Sequence, residues 1–422
     1  MTMSEWSEKK LGDIAETTSG GTPDRKNQAF FGGSIPWVKS GELEDTFIND
    51  TKEKITPEGL KHSAAKLFPS GTLLMAMYGA TVGKTALLKI EAATNQAVCA
   101  IFPRAGEAGT DFLRYALVYQ RPEILKLRYG GAQPNISQQV VRNLVVPLPP
   151  LPEQRKIAAV LGLVQRAIEQ QERLLALTTE LKKTLLHKLF TEGLRGEAQK
   201  QTEIGPVPES WELVPLGSLA KVGNGSTPKR GNEGYWRGGT IPWLNSTKIH
   251  ERFITEADQF VTDLAVKECH LPRVKPSSLL IAITGQGKTL GNSALVSFET
   301  CINQHLAYAQ FTTTKVLSEF VLWFMQTRYE HLRSISQAGG STKGALTCGY
   351  LKTYLIPAPS LGEQREIADV FAALDKKEKV HERKHVALTH LFRTLLHQLM
   401  TAQIRVNNLD LSELELATIT TE

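Results

Sequence analysis

Apolar positions in the first 150 residues come in short runs, broken by Gly, Pro, Asn and Ser. Leu73–Met77 and Ala86–Ile90 are two such runs; Leu279–Thr284 and Ala294–Phe298 have the same character further along. Short apolar stretches bounded by turn formers predict strands, and the longer segments Asp111–Tyr119 and Ser318–Thr327 read as short helices. The rhythm changes after each of two proline clusters. From Pro152 to Phe190, about 39 residues contain no further Pro and a single Gly. Pro152 suits a first helical turn and Glu153 suits its positive end.

A heptad runs through this segment at Ile157, Leu161, Val164, Ile168, Gln171, Leu175, Thr178, Lys182, Leu185 and Leu189. Shifted by 210 it becomes Ile367, Phe371, Leu374, Glu378, His381, His385, Leu388, Phe392, Leu395 and Leu399. Matching seams on two long helices predict a coiled coil. The alternative is two separate helices, each lying on its own domain. Polar residues gather in the middle of both seams, where they set register or mark a docking place.

The shift reflects a repeat. Trp6 with Leu11-Gly12 returns as Trp211 with Leu216-Gly217, and Gly21-Thr22-Pro23 as Ser226-Thr227-Pro228. Ile35-Pro36-Trp37 returns as Ile241-Pro242-Trp243, Pro69-Ser70 as Pro276-Ser277, and Asn95-Gln96 as Asn303-Gln304. Pro147-Leu148-Pro149 with Glu153-Gln154-Arg155 returns as Pro357-Ala358-Pro359 with Glu363-Gln364-Arg365. The offset drifts only from 205 to 210. That is far beyond the ~20–50 residues of a solenoid repeat and indicates a duplicated domain. The expected class is α+β: two mixed α/β domains in tandem, each followed by a long helix. The expected segments are 1–150, a helix in 151–200, a second domain in 201–359, a helix in 360–405 and a tail in 406–422.

Composition changes little. With 422 residues, 41% hydrophobic and 22% charged, the chain is ordinary for a soluble globular protein. A formal charge of +6 leans toward polyanionic partners without requiring them. Cys99, Cys269, Cys301 and Cys348 form no C-x-x-C pair and read as small apolar residues in a reducing compartment. The polar N-terminus is no signal peptide, and no apolar run approaches a membrane span, so a cytoplasmic protein without membrane contact is expected.

Three stretches imitate catalytic motifs. Gly79-Ala-Thr-Val-Gly83-Lys84-Thr85 is one residue short of a P-loop, because Tyr78 stands where the first glycine belongs. His381-Glu382-Arg383-Lys384-His385 spells H-E-x-x-H, yet two cations sit inside it and the other copy reads Gln171-Glu172-Arg173-Leu174-Leu175. Phe31-Gly32-Gly33 faintly resembles a methyltransferase cofactor loop, but no Asp/Asn-Pro-Pro-aromatic motif accompanies it. No metal site or catalytic set is expected.

The loops offer binding chemistry instead. The first copy has Thr22, Arg25 and Lys26; Lys39 and Ser40; Tyr78 and Lys84; and Gln133, Asn135 and Ser137. The second has Thr227, Lys229 and Arg230; Asn245 and Lys248; Thr284, Gln286 and Lys288; and Ser341, Thr342 and Lys343. Lys, Arg and hydroxyls beside glycine N–H groups suit phosphates, while Arg, Asn and Gln suit base edges. The same residue types also simply build turns. Framework residues repeat, whereas Arg25 and Lys26, Lys39, and Gln133 with Asn135 are expected to lack identical counterparts. One scaffold with different loops implies two different ligands.

The ordered marks resemble those of the DNA-specificity subunits of type I restriction–modification enzymes. They are G-x-P near each module start, Ile-Pro-Trp, Asn-Gln, and P-L-P-P-L-x-E-Q-R-x-I at 147–157 with its variant at 357–367, each time followed by a long helix. The resemblance covers residues 5–401. It implies two target recognition domains that each read half of a split, asymmetric DNA sequence in double-stranded DNA. It implies an antiparallel, pseudo-twofold helix pair acting as a ruler, with two modification (methyltransferase) subunits and motor/nuclease subunits as partners. S-adenosylmethionine and ATP then belong to those partners and none to this chain. Ser226 and Ser360-Leu361-Gly362 depart from the pattern. About 39 helical residues span roughly 58 Å, enough to separate half-sites ~34 Å apart. The rival readings are a self-contained DNA methyltransferase or NTPase, and a bivalent protein- or RNA-binding adaptor.

Overall fold

In the computed structural model the described residues are 6–128, 135–285, 288–338 and 346–406. They form two compact units, one of Met1–Glu172 with Arg383–Glu422 and the other of Arg173–Glu382.

In the first unit the runs at Leu73 and Ala86 become the strands Leu73–Ala76 and Thr85–Leu88, paired antiparallel with Leu73 opposite Leu87. They sit inside a five-stranded sheet ordered Ala15–Ser19, Val98–Pro103, Leu73–Ala76, Thr85–Leu88, Phe47–Ile48. Every residue of Leu73–Ala76 and Thr85–Leu88 is buried. The strand period of two splits them between two cores. Leu73, Met75 and Leu87 pack with the helix Thr110–Lys126 and with Ile157 and Leu161. Leu74, Ala76, Ala86 and Leu88 face the opposite core with Val38, Leu43 and Phe68. A sheet covered on both faces calls for continuous apolar strands, which is why these runs do not alternate. A second sheet is ordered Glu53–Ile55, Phe31–Val38, Ala92–Thr94, Leu67–Phe68.

The second unit repeats the plan: Ala220–Asn224, Leu306–Phe311, Leu279–Ala282, Ser293–Val296, Phe253–Ile254. Leu279, Ile281 and Leu295 face one core, and Leu280, Ala282, Ala294 and Val296 the other. Its smaller sheet is ordered Gln259–Val261, Ile241–Leu244, Cys301–Ile302. The expected short helices are Thr110–Lys126, longer than the apolar pattern indicated, and Ser318–Thr327. In each domain the proline-rich strand pairs with the strand that opens it: Val145–Leu148 with Ser7–Lys10, and Leu355–Ala358 with Glu212–Pro215.

The long helices run Leu151–Glu192 and Leu361–Met400. All ten heptad positions in each are buried or half-buried, the polar Gln171, Glu378, His381 and His385 included. In the first unit the start of one helix meets the end of the other: Ile157 and Leu161 share a core with Phe392, Leu395 and Leu399. In the second unit the order reverses, and Leu185, Leu189 and Phe190 pack with Ile367, Phe371 and Leu374. The pairing is therefore antiparallel, and the seam is continuous with the domain cores. Phe190 carries much of the second unit's contact, with rings of Trp211, Phe320, Phe324 and Phe371 within 6.4 Å of its own. Among the described residues no helix is long and apolar enough to cross a membrane.

Candidate nucleic-acid interface

In each domain the tryptophan of Ile-Pro-Trp is buried and its indole N–H donates to the backbone at the G-x-P mark. Trp37 reaches the Gly21 carbonyl at 3.1 Å and Trp243 the Ser226 carbonyl at 3.2 Å. The same loop is pinned from the other side, where Gly21 N–H donates to Thr94 O and Ser226 N–H to Ile302 O, both at 3.0 Å. One residue earlier the geometry demands a glycine in both copies. A Cβ on Gly20 would lie 2.0 Å from Thr94 O, and one on Gly225 1.9 Å from Ile302 O. Gly21 is also confined, since a Cβ there would lie 2.4 Å from Ala64 C, whereas the second copy carries Ser226 at this place. Thr22 and Thr227 donate to the side-chain oxygens of Gln96 and Gln304, which fixes the loop tip in both copies.

Arg25 and Arg230 occupy the same place, contrary to the expectation that Arg25 has no counterpart. Arg25 lies over Phe31 at 4.7 Å and Trp37 at 5.0 Å; Arg230 lies over Trp236 at 4.0 Å and Trp243 at 4.9 Å. A single residue separates each from the proline of its mark, and both guanidinium groups stack on the buried indole. What differs is the residue across the strand. Trp37 faces Glu53, and Trp243 faces Gln259. Glu53 pairs with Arg25 at 2.9 Å and with Lys39 at 2.8 Å. The Lys39 hydrogen bond, with help from Arg25, holds the Glu53 carboxyl below the usual glutamate range. Asn245 stands in the place of Lys39 and caps a short helix by accepting from Thr247 N–H.

The remaining loop candidates divide by what already occupies them. Lys84 pairs with Glu44, and Lys248 is buried between Glu251 at 2.6 Å and Asp258 at 3.2 Å, which raises its pKa. Ser137 caps the helix Gln138–Asn143. Ser40 is half-buried, and its carbonyl accepts from Thr81. Asn135 bridges Tyr78 through the backbone. Lys26, Lys229 and Lys288 are exposed and make no ion pair among the described residues. Tyr78 exposes 44% of its surface. At the matching place the second copy has Thr284 hydrogen-bonded to His305, and His305 touches Gln304 at 3.2 Å. Gln133, Gln286, Ser341, Thr342 and Lys343 lie outside the described residues.

The catalytic look-alikes have other occupations. In the Gly79–Thr85 stretch the N–H groups of Val82, Gly83 and Lys84 donate to Gly79, Ala76 and Thr81, so these three are not free to cradle a phosphate. His385 contacts Glu172 at 3.1 Å. Burial pushes the Cys99 thiol up to about 12 and that of Cys301 to about 11, well away from a reactive thiolate.

The sequence matches the type I restriction modification DNA specificity domain twice, over residues 3–179 and 208–390. The chain belongs to the type I restriction–modification DNA specificity family. It is 24% identical over 418 residues to the type I restriction enzyme MjaIX specificity subunit of Methanocaldococcus jannaschii, covering 96% of this chain and 95% of that one. The putative MjaX specificity subunit of the same organism is 25% identical over 417 residues, covering 95% and 94%. The crystal structure of a type I restriction–modification S subunit from M. genitalium aligns with a TM-score of 0.63 at 16% identity, covering 94% of this chain and 97% of that one. The fold is shared, and this chain is a specificity subunit with two recognition domains.

Within this specificity subunit the repeated Glu-Gln-Arg has a structural meaning that spacing did not show. Gln154 accepts from Gly109 N–H at 2.9 Å and donates to Pro149 O at 2.8 Å; Gln364 accepts from Leu317 N–H at 2.8 Å and donates to Pro359 O at 2.8 Å. Each glutamine thus ties the long helix to the N-terminus of its domain's helix. Glu153 accepts from Trp6, and Glu363 from Trp211. Arg155 and Arg365 are exposed at the same helical position and have no partner among the described residues. The residues missed at the interface are Glu53 and Gln259. Their only sequence signal was a charge change on a strand whose partner strand could not be known.

Proposed function

We propose that this specificity subunit reads a bipartite, asymmetric sequence in double-stranded DNA, one half-site per domain, and does no chemistry itself. The observation that carries the reading is the contrast at the loop cluster. The tryptophan, stacked arginine and threonine–glutamine clasp are the same in both units. The residues around them differ: Lys39 against Asn245, Glu53 against Gln259, and Tyr78 against Thr284 with His305. A common scaffold with unlike polar groups suits two different stretches of base edges.

The helices then act as the ruler between half-sites. A helix of 42 residues extends about 63 Å, more than the ~34 Å between half-sites one turn apart. The repeated, exposed Arg155 and Arg365 favour two identical partners, one on each repeat. We assign these to two modification subunits, with S-adenosylmethionine and ATP on the modification and motor/nuclease subunits and the whole assembly in the cytoplasm.

Exchange of residues 5–146 for those of another family member tests the reading. In cells supplying the partner subunits, the methylated genomic motif should change in one half only. Change in both halves, or methyl transfer to DNA by the purified chain alone, overturns it.

A further inference from the structure

Resting on the reading of both loop clusters as DNA-facing, we infer that Glu53 is an affinity-limiting residue that restrains the first domain's two leading cations. Arg25, Lys39 and Glu53 together carry the same formal charge as Arg230, Asn245 and Gln259, by different routes. In the first, Arg25 and Lys39 are offset by Glu53, at 2.9 and 2.8 Å. In the second, Arg230 stands over its tryptophan with no carboxylate partner among the described residues, and Asn245 and Gln259 are uncharged. The strand register makes this a substitution at one place, because Glu53 lies opposite Trp37 and Gln259 opposite Trp243.

The consequence follows from what phosphate binding requires. A cation that contacts a phosphate while still paired keeps an opposing carboxylate beside it, and Arg25 and Lys39 share one such partner. Glu53 is only partly exposed, at 34% of its side chain, so its charge beside the cations is incompletely screened and repels an incoming phosphate. Restraint of this kind acts on every DNA sequence alike. It weakens sequence-independent binding of the first domain, which otherwise holds the subunit on irrelevant DNA. Arg230 has no such restraint and supplies the second domain's phosphate contact directly. Glu53 could instead accept a hydrogen bond from a cytosine amino group, and the experiment separates these roles.

The test uses the full chain assembled with its partner subunits, bound to duplexes carrying or lacking the methylated motif, with affinity measured from 50 to 300 mM salt. Glu53→Gln should tighten binding to both duplexes by roughly 2- to 10-fold. It should steepen the slope of log K against log salt by about 0.9 to 1.8. Gln259→Glu should weaken both and flatten the slope by about 0.9. Wild-type slopes in both variants overturn the inference and leave the functional reading intact. Loss of affinity on the motif duplex alone in Glu53→Gln overturns it in favour of base reading. A wild-type complex that binds no DNA overturns both.

Discussion

The carboxylate of Asp375 takes the guanidinium of Arg252 on both oxygens, each at 2.9 Å. Asp375 lies on the second long helix, and Arg252 lies just before the strand Phe253–Ile254 of the second domain. Lys182, from the first long helix, also pairs with Asp375 and reaches Glu378 at 3.1 Å. The polar middle of the seam is in this part a clasp of domain, helix and helix. Lys182 and Arg252 both lie near the Trp323 ring, at 5.2 and 4.9 Å.

Asp375→Asn should therefore destabilise the second unit. It leaves Lys182, with only 8% of its side chain exposed, dependent on Glu378 alone. Breaking one partner from a buried pair costs about 3–5 kcal/mol, and the remaining glutamate places the effect at the lower end. Denaturant unfolding should show a lower midpoint; an unchanged midpoint would show that the clasp contributes nothing.

Gln364→Leu should cost about 1–3 kcal/mol, because it leaves the N–H of Leu317 and the carbonyl of Pro359 without that partner. Gln154→Leu should do the same in the first unit, at Gly109 and Pro149. Hydrogen exchange should speed up at Leu317 in one variant and at Gly109 in the other. Equal protection in the variant and the parent would refute the tie.

Tyr78→Ala and His305→Ala should each weaken recognition of one half-site, by about 1–3 kcal/mol for a lost base-edge contact, and leave the other half intact. Binding to duplexes mutated in either half checks this. A loss spread evenly over both halves would exclude a reader role for these residues.

Removal of one heptad from both long helices should change the gap in the methylated motif and keep the half-site sequences. Sequencing methylated genomic DNA measures the gap directly. An unaltered gap would remove the ruler.

The Glu53 pairing gives a pH dependence with a definite sign. Its carboxyl is held below the ordinary value of 4.5 by Lys39 and Arg25. A carboxyl depressed on folding contributes stability above its unfolded pKa and loses it as pH falls through the folded one. The unfolding midpoint of wild type should thus exceed that of Glu53→Gln near neutrality, with the difference shrinking below pH 4.5. A difference independent of pH would show that the carboxylate charge is not involved.

The duplication, the two long helices and the paired apolar strands were legible in the amino-acid order because each is a local or periodic property. Leu73–Ala76 and Ile157–Leu189 announce themselves through spacing alone, since burial of a face repeats with the period of the backbone. The stacked arginines were half legible. Arg25 and Arg230 stand at equal distance from their prolines, but only the fold places each on the tryptophan 12 or 13 residues later and so reveals them as counterparts. The partners that decide which cations are occupied came entirely from tertiary structure. Glu53 reaches Lys39 through strand register, Lys248 is sequestered by Asp258, and Arg252 meets Asp375 across 123 residues. Charge lets any acid pair with any base, so residue identity alone names no partner. Only the packing of strands against strands and helices against domains brings a particular pair within reach.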